Sequence, residues 1–168
     1  LEFRRVLFRS FIELLKRHSA KLVVIGDGPM RADLEALCVG LPVSFLGFVP
    51  DPTRIAEIYR VADVALNLGP IETFGLATLE FLASGVPVVV SNEGGSRELV
   101  DVDCGRVVPP DEISIANAID DLLSMPLEFR RHAARSRANL FPWSRTAESL
   151  LRLYTVLGTR RRSERVAA

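Results

Sequence analysis

The chain has 168 residues, of which 48% are hydrophobic and 25% charged, and its 21 basic and 21 acidic side chains cancel. That mix suits one domain with a sizeable core and argues against a disordered chain, a collagen-like repeat or a disulfide scaffold on two cysteines, Cys38 and Cys104. No apolar run approaches the roughly 18 residues of a membrane span, no Cys/His spacing suggests zinc, and a reducing, cytoplasmic setting is the default expectation.

Residues 1–10 have no clear period and lack the apolar region and small-residue cleavage site of a signal peptide. Leu7-Phe8-Arg9-Ser10 is what a common sequencing-adaptor sequence encodes in one frame. The expectation is therefore that residues 1–10 are a non-native read-through joined to a truncated gene. Phe11 to Arg17 reads as the end of a helix, with Phe11, Leu14 and Leu15 at helical spacing. Lys21 to Ile25 is a β-branched apolar run, hence a buried strand, broken by Gly26-Asp27-Gly28-Pro29. A helix follows up to Gly40, and a second strand spans Val43 to Leu46. Asp51-Pro52 opens another helix, with Ile55, Ile58, Tyr59 and Ala62 inward. Asp63 to Leu68 is a third strand, Thr73 to Ser84 a helix ended by Gly85, and Pro87 to Ser91 a fourth strand. Gly94-Gly95 precedes a short helix, Ser96 to Val100, and Gly105 to Val108 is a fifth strand. From Asp111 onward the pattern is helical, in pieces broken near Pro126 and Pro142.

Strands alternating with helices predict βαβ units, a parallel sheet covered on both faces and right-handed crossovers. The helical last third predicts a cap beside that sheet or helices that meet another domain. Charge is uneven along the chain. Residues 1–125 hold 11 Lys/Arg against 18 Asp/Glu, and residues 126–168 hold 10 against 3. The plain reading of Arg130, Arg131, Arg135, Arg137 and Arg160 to Arg162 is a solvated helix face and a frayed tail. Attraction to an anionic membrane surface is the functional alternative. Nucleic acid is the weaker option, because no aromatic residues interleave with the arginines. His18 and His132 lie in basic helical surroundings and read as surface residues.

Gly26, Gly28, Gly47, Gly69, Gly75, Gly94 and Gly95 all lie just past the carboxyl end of a predicted strand. Any one of them could serve a βα turn. Four such loops on one edge point instead to a ligand approached closely by backbone, at the place where open α/β sheets bind ligands. The dinucleotide fingerprint fails, since Arg31 stands at its third glycine position. No Walker sequence, no G-x-S-x-G elbow and no Ser/His/Asp order is present.

The densest constellation is Pro70-Ile71-Glu72-Thr73-Phe74-Gly75-Leu76-Ala77-Thr78-Leu79-Glu80. With Glu72 ahead of the helix and Glu80 two turns into it, the carboxylates lie up to about 12 Å apart along the axis. That exceeds the roughly 5–9.5 Å of a glycosidase pair. Gly75 opens the helix N-terminus, where free N–H groups and the dipole favour phosphate. One stretch thus offers a carboxylate, an anion site and a second carboxylate, the order of parts in a nucleotide diphosphate sugar. Glu72 could also be a favourable acid beside a helix N-terminus. Glu80, flanked by Leu79, Phe81 and Leu82, would be costly without a partner.

Several stretches together resemble the donor-binding C-terminal domain of family four glycosyltransferases, of the GT-B architecture. They are Leu22 to Pro29, Val43 to Val49, Ala62-Asp63-Val64, Glu72 to Glu80, Ala83 to Ser91, Gly94-Gly95 with Glu98, and Gly105 to Pro109. The resemblance covers residues 11–155. It implies an α/β, Rossmann-like parallel sheet with helices on both faces, over residues 11–158, followed by a basic tail at 159–168. It also implies that Glu80 holds the donor ribose and that Glu72 lies near the transferred sugar as the catalytic candidate. By the same resemblance, Phe74, Gly75 and Leu76 offer backbone donors to sugar and diphosphate. Gly26 and Gly28 line the first turn beside the donor, and Val49 and Asp51 lie near the base. Family members are usually retaining and need no metal for donor binding, and no other cofactor is implied. The run Gly69 to Ala77 is most similar to actinobacterial α-mannosyltransferases that use GDP-mannose. A cytoplasmic enzyme, peripheral at the membrane where the acceptor is a lipid, fits that likeness. The alternative is a non-catalytic nucleotide-sugar-binding or interaction module.

The family's diphosphate clamp, an Arg and a Lys ahead of the helix at Phe11, is without a counterpart here, and so is the N-terminal acceptor-binding domain. The polypeptide of 168 residues is therefore expected to show no donor-dependent sugar transfer in an assay of the purified chain. Clear transfer would show that the clamp and acceptor domain are dispensable.

Overall fold

The computed structural model describes the backbone of residues 2–166 and the side chains of residues 6–157. In chain order the elements are α1 (Glu2–Leu15), β1 (Leu22–Ile25), α2 (Arg31–Leu37), β2 (Val43–Gly47), α3 (Pro52–Arg60), β3 (Ala65–Asn67) and α4 (Leu76–Ala83). Then come β4 (Val88–Ser91), a 3-10 turn (Gly95–Glu98), β5 (Gly105–Val108), α5 (Glu112–Ser124), α6 (Leu127–Ala138) and α7 (Trp143–Val166).

Every strand pair is parallel, as the alternation of strands and helices predicts, but the strands form two ladders. One is β1–β2 and the other β3–β4–β5, and among the described residues no ladder pairing joins them. The expectation of strands covered on both faces holds for β4, whose four residues are all buried between two neighbours. It fails for β1, which has one neighbour and leaves Val23 41% exposed.

Alternation along β4 builds two cores. Val88 and Val90 pack with Tyr59 of α3, Leu82 of α4 and Ala134 of α6. Val89 points the other way, into Phe11 and Leu14 of α1 and Ile115, Ile119 and Leu122 of α5. Leu22 and Val43 of the first ladder join this second cluster, so α1 lies across both ladders.

The helix expected to end near Arg17 extends back to Glu2. Phe8 is buried and stacks on Phe45 with ring centroids 6.1 Å apart, so the core continues ahead of Phe11 without a break at residue 10. Helix α4 starts at Leu76, three residues later than the sequence suggests, because Gly75 adopts a left-handed conformation (φ +95°) that no helical turn accepts. Asp51 and Asp111 cap α3 and α5 by accepting from the Thr53 and Ser114 amides. Those bonds, chiefly to Ser114, hold the Asp111 carboxyl below its ordinary range.

The solvated basic face holds for Arg135 of α6, which is exposed, but not for its other arginines at 130, 131 and 137. Arg130 is 5% exposed and donates to Asp63 (3.2 Å) and the Leu122 carbonyl (3.3 Å). Arg131 reaches the carbonyls of Arg60 and Ala62, and Arg137 those of Leu99 and Glu98. These arginines satisfy carbonyls where chain segments end, a use of the guanidinium fork that sequence periodicity does not distinguish from solvent exposure. Residues 143–157 of α7 are exposed throughout, and the side chains of the tail at 158–168 lie outside the described residues. His18 bonds Asp120 at 2.7 Å on the surface, and His132 lies beside Ser136.

Leu82, fully buried between β4 and α6, sets the scale of this core. Leu82→Ala is expected to cost about 2–5 kcal/mol in chemical denaturation. Burial also pushes the Cys104 thiol up to about 12 and raises that of Cys38. Neither is expected to react with iodoacetamide at pH 8 in the folded chain, and both are expected to react after unfolding, as read by mass spectrometry.

Candidate functional site

Two groups of residues stand at the carboxyl ends of the strands. The first joins β1 and β2. Gly26 (φ +112°) donates to the Gly47 carbonyl at 2.8 Å, and Gly26 and Gly28 both face open space where a Cβ would stand. The Asp27 carboxylate accepts from the Gly28 amide (2.8 Å) and from Arg31 (3.1 Å), which together hold it below its usual range. Arg31 also donates to Glu35 at 2.8 Å. Val49, half-buried, and Asp51 follow β2, and the Asp51 carboxylate is engaged in capping α3.

The second group joins β3, α4 and the loop after β4. The Gly95 amide donates to the Glu72 carbonyl at 2.6 Å. A Cβ on Gly95 would lie 2.3 Å from the Thr73 carbonyl oxygen, and one on Gly94 would lie 3.0 Å from that of Glu72. The two loops are thus pressed backbone to backbone, which only glycine permits. Gly75 caps α4 in its left-handed conformation, and a Cβ there would lie 2.5 Å from the Ser96 hydroxyl. No side chain caps this helix. The first-turn amides of α4, from Leu76 on, have no partner within the helix and carry its positive dipole end.

Glu72 is half-buried and Glu80 exposed, and neither carboxylate has a hydrogen bond or ion pair among the described residues. The sequence suggests that Glu80, flanked by Leu79, Phe81 and Leu82, is costly to bury without a partner. It turns out of the apolar packing to solvent instead, so the cost of burying it does not arise. Glu80 lies close enough to Tyr59 to add to burial in raising that phenol above its ordinary range. Phe74 and Leu76 are exposed beside Gly75, and Ile71 is 92% exposed on the same loop.

The structure brings Glu72, Phe74, Gly75 and Leu76 together with Gly94 and Gly95, and Gly26 and Gly28 with Gly47. Among the described residues no hydrogen bond joins the two groups. It also adds residues that sequence reasoning passed over, namely Asn67, Thr78 and Ser96. Asn67 donates to the hydroxyls of Thr78 (2.8 Å) and Ser96 (3.3 Å), directly behind the α4 N-terminus. Their one signal in the sequence is three polar residues inside otherwise apolar or glycine-rich stretches. Among the described residues no three His, Cys, Asp or Glu side chains gather as metal ligands, and no helix is long and apolar enough to cross a membrane.

The family model of glycosyl transferases group 1 matches residues 4–125. The chain belongs to that family. It is 46% identical over 132 residues to a GDP-mannose-dependent alpha-(1-6)-phosphatidylinositol dimannoside mannosyltransferase of Mycobacterium tuberculosis, covering 79% of this chain and 35% of that protein. It is 34% identical over 166 residues to a D-inositol 3-phosphate glycosyltransferase of Nocardia farcinica, covering 89% of this chain and 37% of the relative. Among solved structures, sucrose-phosphate synthase from Thermosynechococcus elongatus superposes with a TM-score of 0.78 at 29% identity, over 94% of this chain and 43% of the other. The chain thus spans little more than a third of these curated relatives, and its parallel sheets with helices on both faces are of the GT-B type.

Gly75→Ala meets both a forbidden φ and the Ser96 hydroxyl. It is expected to destabilise the chain by about 1–3 kcal/mol in denaturant titration. Adding Ser96→Ala should recover part of that loss, and no recovery would mean that the φ alone sets the cost.

Proposed function

We propose that this chain is the donor-binding part of a glycosyltransferase, and that it holds a nucleotide diphosphate sugar for transfer to an acceptor with retention. The observation that carries the reading is the unpartnered pair Glu72 and Glu80 on either side of an uncapped helix N-terminus. Carboxylates without protein donors suit the vicinal hydroxyls of a ribose and a hexose, and the amides between them suit a diphosphate. Glu80 takes the ribose end. Glu72 takes the sugar end, where it stabilises the charge that develops as the glycosidic bond breaks. The leaving phosphate takes the acceptor proton, so no side-chain nucleophile is required. Val49 and Asp51 border the base.

GDP-mannose is the proposed donor, supported by the GDP-mannose dependence of the 46% identical relative. The acceptor-binding part belongs to the remainder of a longer protein, supported by the small share of each relative that this chain covers. Donor binding is proposed to need no metal. The protein is proposed to work in the cytoplasm in contact with an anionic membrane surface, the contact being supported by the phosphatidylinositol dimannoside on which that relative acts.

Calorimetric titration of the chain with GDP-mannose, UDP-glucose and ADP-glucose tests the reading. GDP-mannose is expected to bind most tightly, and Glu80→Ala to weaken it about tenfold, or ~1.4 kcal/mol. Binding indifferent to Glu80→Ala would remove the assignment. In a protein that includes the acceptor part, Glu72→Ala is expected to abolish transfer and leave donor affinity within a few-fold. Transfer that survives the substitution would favour a non-catalytic role for this site.

A further inference from the structure

Three polar side chains lie beneath the α4 N-terminus without entering the surface at which a donor would sit. Asn67 ends β3 and is held in the ladder opposite Val90. Its amide donates to Thr78 at 2.8 Å and to Ser96 at 3.3 Å. Thr78 is 0% exposed and Ser96 1% exposed, so neither hydroxyl has water as a substitute partner. Thr78 is the third residue of α4, and Ser96 belongs to the 3-10 turn after Gly94-Gly95. A single planar NH2 group therefore ties together the three elements that border the site, using both of its protons.

The tie has a direction. β3 pairs with β4, the most deeply buried strand, so Asn67 stands on the fixed part of the molecule. Thr78 carries the first turn of α4, whose amides from Leu76 to Thr78 move with it. Ser96 Oγ lies 2.5 Å from where a Gly75 Cβ would stand, so it packs on the cap residue itself. If the Asn67 amide is lost, the helix start and its left-handed cap are no longer referenced to the sheet. Anion capture by several amides at once depends on their common aim, and displacements of about 1 Å are costly in such sites.

We propose that Asn67, acting through Thr78 and Ser96, is the positioning residue that aims the α4 N-terminus at the diphosphate of the donor. This role rests on the nucleotide-sugar reading above. It differs from a purely structural role because it governs the phosphates and not the nucleoside.

The test compares GDP with guanosine, titrated against the 168-residue chain and its variants Asn67→Ala and Thr78→Val. Each variant is expected to weaken GDP about tenfold while changing guanosine less than twofold. The double variant is expected to be no worse than Asn67→Ala alone, because Asn67→Ala already removes the bond that Thr78→Val breaks. Hydrogen exchange should quicken at the amides of residues 75–78 and 95–96 and stay unchanged in β4 and α5. Equal weakening of GDP and guanosine, no weakening of either, or loss of folding in both variants would overturn the positioning role. Failure of the unsubstituted chain to bind GDP would overturn the donor reading, and this role with it. GDP binding that Glu80→Ala weakens and Asn67→Ala does not would remove the positioning role alone.

Discussion

The hydrogen bond from the Gly95 amide to the Glu72 carbonyl, at 2.6 Å, is the contact on which the site depends. It joins the loop after β3 to the loop after β4 at a separation that no residue with a Cβ at 94 or 95 could reach. Pressing the loops together consumes the Glu72 backbone carbonyl and leaves its carboxylate free. Gly75, left-handed, then begins α4 beside the Ser96 hydroxyl. The chemistry of the site thus rests on missing side chains, with three glycines defining where the two glutamates and the helix amides stand.

That arrangement separates the groups that hold the fold from those left free. Asp27, Asp51, Asp111 and Asp120 all accept hydrogen bonds from protein groups. Burial works against ionisation of Asp120, and the bonds from Arg17 and His18 outweigh it, so its carboxyl lies below the usual range. Glu72 and Glu80 carry no such bond, and among the described residues neither do the carboxylates of Asp33, Glu93, Glu98, Asp103, Glu128 and Glu148. In an apolar helix, a lone carboxylate turned to solvent contributes little to stability.

Much of this was legible from the chain alone, because parallel strands announce themselves as short apolar runs closed by glycine. The expected strands Pro87 to Ser91 and Gly105 to Val108 match β4 and β5 to within a residue, and the breaks near Pro126 and Pro142 fall between α5 and α6 and between α6 and α7. The start of α4 lies later than the sequence suggests because Thr73 and Phe74 are compatible with helix, and the left-handed cap at Gly75 packs on Ser96, a residue 21 positions later. The α6 arginines were misread for a related reason. Helical periodicity says which face a side chain leaves from, but not whether a carbonyl such as those of Arg60 or Leu99 waits for it. The Asn67 link is non-local in the same sense, and three scattered polar residues give no period to detect.

The division into two ladders gives the site a mechanical character. The glutamates and the α4 N-terminus rest on β3–β4–β5, where β4 is buried along its whole length. Gly26 and Gly28 rest on β1–β2, a pair with a register shift at Val24/Ile25 and an exposed Val23. Between them α1 is shared through Phe11 and Leu14, and Ile25 of β1 also packs on the core of Ala65, Val88 and Val90. A ligand long enough to touch both groups would bridge parts of the chain that no ladder pairing joins. Part of its interaction free energy would then go into fixing their relative position, and affinity would depend on α1 packing as well as on the groups that touch the ligand. Phe11 and Leu14 share a core with Val89 of one ladder and with Leu22 and Val43 of the other, so the packing of α1 bears on how the two glycine groups stand.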